Sequence, residues 1–96
     1  MKYLINLGIS EETLNKIIEV NDEAIELSIE CNKENITNII NYLRYIGIKN
    51  IEDLLIYEID FFLNDFEEIK KKLRRENVMD IYNINMDFTY IEKIEF

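Results

Sequence analysis

The densest chemistry in the sequence is cationic. KKKLRR places Lys70, Lys71, Lys72, Arg74 and Arg75 within six residues. Clustered lysine and arginine can neutralise phosphates and release counterions, so the segment is a candidate nucleic-acid contact. The same residues also suit the last turn of a helix, where cations complement the negative dipole end while Leu73 faces inward. The chain carries a formal charge of −9. Setting the five cations aside leaves −14, a field that repels polyanions over most of the surface. The structural reading of the cluster is therefore favoured, with partner contact as its functional alternative.

Other constellations give less. There is no histidine, which excludes Ser-His-Asp and Cys-His catalysis and removes zinc's usual nitrogen ligand. Cys31, the single cysteine, has no disulfide partner within the chain and reads as a small structural residue in a reducing compartment. The pairs Glu11/Glu12 and Glu67/Glu68 fall in first turns of expected helices, where acids stabilise the dipole and adjacent side chains do not face one another. NINMDFT alternates Asn83, Asn85, Asp87 and Thr89 faintly like a calcium loop. Phe88 replaces its required glycine, however, and Ile94 its bidentate glutamate. No catalytic residue, metal site or cofactor is expected. Tyr42 and Tyr45 flank the apolar stripe of a helix; they could line a protein-binding surface or seal a core edge with the hydroxyl in water.

The elements that must carry these residues are helices. With 48% hydrophobic residues, no proline and two glycines in 96 positions, the chain has enough apolar content for one small core. It lacks the turn residues of a β-sandwich. In residues 32–47 Ile36, Ile39, Ile40, Leu43 and Ile46 form one helical stripe, with Asn32 as expected N-cap and Gly47 as left-handed stop. Upstream, Gly8 stops a short opening turn that carries Leu4 and Leu7. Ser10 then caps a helix with Leu14, Ile17 and Ile18 on its apolar face, and a short turn brings Ala24, Ile25 and Leu27 inward. Downstream, Asn50 is the expected cap before Ile51, Leu54 and Leu55, and Phe61 and Phe62 match Ala24 and Ile25. Asn64 and Glu67 form a capping-box-like pair before Phe66, Ile69 and Leu73.

LINLGI and LRYIGI thus mark one corner used twice. A third copy is expected where Asn83 replaces the glycine and Asn85 caps a last helix carrying Phe88, Ile91 and Ile94. Ile84, Met86, Phe88 and Tyr90 also alternate as in a strand, so both forms stay open for residues 84–96, with the repeat phase favouring helix. The expected architecture is all-α: one domain over residues 1–96, a short α-solenoid of about two and a half helical repeats. These span about 4–42, 43–80 and 81–96.

The phrases LINLGISEETLNKIIEVNDEAIELSIE and LRYIGIKNIEDLLIYEIDFFLNDFEE resemble the mitochondrial transcription termination factor (mTERF) repeat. The resemblance implies a right-handed solenoid of three-helix units and, in several members, nucleic-acid binding along a basic concave face. This sequence has Asp22 and Ile59 where the family usually has proline, and it lacks the basic groove. The expected function is accordingly a non-enzymatic acidic module for protein–protein interaction, with a protein partner or with itself. Nucleic-acid binding through Lys70–Arg75 is the alternative. Without a signal-like N-terminus or an apolar run long enough to span a bilayer, the expected location is the cytoplasm, with no membrane partner.

Overall fold

Gly8 and Gly47 both take positive φ, +88° and +100°, and each closes the same hydrogen-bonded turn. Around Gly47, the Ile48 N–H donates to Leu43 C=O at 2.9 Å and the Gly47 N–H to Arg44 C=O at 3.3 Å. Around Gly8, the Ile9 N–H donates to Leu4 C=O at 3.0 Å and the Gly8 N–H to Ile5 C=O at 2.9 Å. These are paired Schellman closures, which satisfy the last helical carbonyls and need a left-handed residue at the stop. Their usual apolar clasp is present in both: Leu4, Ile9, Leu43 and Ile48 are all buried.

A computed structural model describes all 96 residues. It comprises α1 (Lys2–Asn6), α2 (Glu11–Asn21), α3 (Ala24–Cys31), α4 (Lys33–Ile46), α5 (Ile51–Tyr57), the 3₁₀ helix η1 (Ile59–Leu63), α6 (Phe66–Lys72), α7 (Val78–Met86) and the 3₁₀ helix η2 (Phe88–Lys93), with no strand. No helix is long and apolar enough to cross a membrane. The five stripe residues of α4 are all buried. Around them α2 packs along α5, α4 against α6 and η1, and η2 against both α5 and α7. The particle measures 34 × 24 × 23 Å.

Several local expectations are corrected. Ser10 caps α2 as expected, accepting from the Thr13 N–H. Asn32 and Asn50 stand at helix starts without capping them: Asn32 Nδ2 donates to Ser28 C=O at 2.7 Å, and Asn50 Nδ2 to Ile84 C=O at 2.8 Å. The cap of α6 is Asp65, whose Oδ2 accepts from the Glu68 N–H, rather than Asn64. Ala24 and Leu27 are exposed, because α3 starts after Asp22, which has φ +107°. Asp22 Oδ1 takes the Ala24 N–H at 2.6 Å, and in this phase Ile25 and Ile29 point inward, one turn apart.

The third corner does not form. Asn83 lies inside α7 and has no positive φ. Asn85 is no cap either; Asp87 caps η2, accepting from the Thr89 N–H at 3.0 Å. Residues 84–96 finish α7 and continue into the six-residue 3₁₀ helix η2, and Met86 breaks the strand-like alternation by pointing outward.

Candidate functional site

The cationic segment grows out of α6. Glu67 and Glu68 occupy its first turn and Lys70, Lys71 and Lys72 its last, in keeping with the helix dipole. Lys70 reaches Glu67, and Lys71 reaches Glu68, each at 3.7 Å. Exposed i,i+3 pairs like these contribute about 0–1 kcal/mol. Lys70 also lies over the Phe66 ring, 5.1 Å from its centre. The helix ends at Lys72, and Leu73, fully buried, turns the chain away. Arg74 and Arg75 therefore stand in the link to α7, where the Arg74 backbone N–H donates to Asn77 Oδ1 at 3.0 Å.

Tyr42 and Tyr45 separate in role. Tyr42 donates from its hydroxyl to Leu73 C=O at 2.8 Å and meets Phe66 edge-on, with ring centres 5.8 Å apart. It seals the seam between α4 and α6. Burial, reinforced by the negative charge of Glu76, raises its pKa above the ordinary tyrosine value. Tyr45 is exposed. The Arg75 guanidinium sits over its ring at 5.3 Å and donates to its hydroxyl at 3.3 Å. The fold thus joins Arg75 to Tyr45, whereas Arg44 does not join the cluster: its guanidinium lies by Gly8.

Three arrangements were not anticipated from the sequence. The first is a set of asparagines that bridge elements. Asn85 Oδ1 accepts from the Lys49 N–H at 2.8 Å while its Nδ2 donates to Gly47 C=O at 3.0 Å, clasping the second corner. At the first corner the Ser10 N–H donates to Glu52 Oε1 at 3.1 Å. Each corner is thus held, two residues past its glycine, by a side chain from the next part of the chain. Asn21 donates to Ile56 C=O, and Asn35 donates to Asn64 C=O while accepting from the Phe66 N–H. Of these only Asn85, 38 residues after Gly47, carried a signal in its spacing, since it lies about one repeat beyond a corner.

The second is an acidic shallow between η1 and η2, lined by Glu58, Asp60, Glu92, Phe61 and Phe96. Burial, then a hydrogen bond to Glu92 and the charges of Glu92 and Asp60, push Glu58 up to about 7. No group of three or more side chains able to hold a metal ion is formed.

The third is the outer face of α7. Val78, Met79, Tyr82 and Met86 are 66%, 69%, 57% and 70% exposed. Their spacing makes them mutual neighbours on one helix side. Asp80, the only charge on α7, accepts from the Tyr90 hydroxyl at 2.8 Å. The terminal segment does not supply an apolar surface: Phe88, Ile94 and Phe96 pack on the core and Ile91 is buried in it. Four large apolar side chains on one short helix form the kind of patch that marks an interaction site. No family model, curated protein or solved structure matches this chain.

Proposed function

We propose that the chain is a non-enzymatic, mTERF-like α-solenoid module of about two and a half repeats, the last without its corner, that works by protein–protein interaction in the cytoplasm. The matching Schellman corners, the packing of α2 along α5 just after them, and the Glu52 and Asn85 clasps support the repeat reading. The observation that carries the interaction reading is the uncharged, exposed apolar face of α7 in a chain that is 32% charged.

The test is affinity capture from native lysate at low and high salt, comparing the parent chain with a Met79→Ser, Met86→Ser double variant. The variant loses the captured protein at unchanged helicity. Equal capture by both refutes the interaction reading of α7. Charge reversal at Lys70–Lys72 asks separately whether the cations add to the contact.

One observation favours the second reading, nucleic-acid binding. Residues 70–96 hold six cations against five anions, whereas residues 1–69 hold five against fifteen. A gel shift at about 50 mM salt, where phosphate contacts are strongest, decides it. An unshifted probe ends the nucleic-acid reading.

A further inference from the structure

We infer that the occupant of the α7 face is a second copy of this chain, bound through an antiparallel α7–α7 pair on a two-fold axis at Tyr82. The inference rests on the protein-interaction reading above and names its partner.

The spacing on the face is self-complementary. An axis through Tyr82 sets Val78 of one copy beside Met86 of the other, and Tyr82 beside Tyr82. This is the reciprocal matching that a closed two-fold interface requires. The face carries no charge, since helical spacing puts Asp80 on another side of α7, where it accepts from the Tyr90 hydroxyl, so no ion of α7 is desolvated when two such faces meet.

The ends of the helix are complementary as well. Arg74 and Arg75 precede α7, and Asp87 follows it as the cap of η2. Asp87 is exposed, and its carboxylate accepts hydrogen bonds from the Thr89 N–H and hydroxyl. In an antiparallel pair the cations of each copy approach Asp87 of the other, and the helix dipoles oppose favourably. Whole-chain repulsion does not prevent this approach. The excess acid lies in residues 1–69, while residues 70–96 are nearly balanced, with six cations to five anions. Pairing through α7 brings the balanced parts together.

Sedimentation equilibrium of the full chain from about 1 μM to about 0.5 mM tests the inference. The expected result is a species of twice 11.6 kDa that persists between about 50 mM and 0.5 M salt, where exposed charge pairs are screened. Tyr82→Glu opposes two carboxylates on the axis and is expected to weaken the dimer by roughly a hundredfold or more. Tyr82 is more than half exposed, so helicity is expected to hold. In a Cys31→Ser background, Tyr82→Cys forms an inter-copy disulfide under mild oxidation, while Leu27→Cys, exposed on α3, does not. A monomer throughout the range overturns the inference. So does a dimer indifferent to Tyr82→Glu, or a mass that keeps rising with concentration, the mark of head-to-tail association. If the chain is monomeric yet α7 substitutions abolish capture of another protein, self-pairing fails and the interaction reading stands. If the chain is monomeric and capture is also unchanged, both fail.

Discussion

Replacing Gly47 with alanine isolates the energetic cost of a corner. At φ +100° an L-residue pays about 1–2 kcal/mol for crowding its own carbonyl. A Cβ built on Gly47 meets no atom within 4 Å, so no packing clash adds to that. The restricted unfolded chain returns about 0.4–1 kcal/mol, leaving a net loss of about 1 kcal/mol. For a domain of this size that corresponds to a fall in melting temperature of about 4–8 °C. The Gly8 corner has the same hydrogen bonds and a Cβ there meets only Arg44 Nη2 at 3.4 Å, the end of a flexible side chain. Gly8→Ala is therefore expected to cost the same within about 0.5 kcal/mol. Gly47→Asn is expected to cost less than alanine, since asparagine tolerates the left-handed region. Urea and thermal melts followed by circular dichroism read all three variants. A neutral or stabilising Gly47→Ala, or an asparagine as costly as alanine, would refute the claim that left-handed geometry governs this corner.

Two further outcomes follow from the clasps and the acidic shallow. Asn85→Ala removes both hydrogen bonds to the second corner and is expected to cost about 1–2 kcal/mol; faster hydrogen exchange at the Lys49 amide is its local signature, and unchanged exchange there speaks against the clasp. Glu58, raised from 4.5 to about 7 by burial and then by Glu92 and Asp60, holds a proton in the folded state that the unfolded chain has already released. Its stabilising contribution is complete below about pH 4.5 and lost as pH rises to about 7. Melting temperature is thus expected to decline between about pH 5 and 8, and Glu58→Gln to flatten that decline; an equally steep Glu58→Gln profile assigns it to other groups. Asp87, shifted downward by its Thr89 hydrogen bonds, acts with opposite sign at more acidic pH.

The sequence alone determined the features whose physics is local. The α4 stripe could be read because helical spacing puts Ile36, Ile39, Ile40, Leu43 and Ile46 on one side whatever surrounds them. The two glycine corners were legible because positive φ is a property of one residue and its nearest neighbours. Asn83 shows the limit of that reasoning. Asparagine permits a left-handed stop without requiring one, and at this position the α7 helix continues through it.

Tertiary structure decided the rest. Asn50 and Asn85 were read as caps because an amide beside a helix start has a local partner available. Folding brought them better-placed groups from 34 to 38 residues away. The candidate surface was equally hidden, since VMDIYNINM is apolar on several sides and its period does not say which side turns inward. The inner side was settled by Ile84 entering the core and Asn85 reaching the Gly47 corner, which left Val78, Met79, Tyr82 and Met86 facing solvent. Backbone preference and helical period are written along the chain. The partner of a long-range amide and the exposed side of a two-sided apolar helix are not, because both depend on which distant segments arrive beside them.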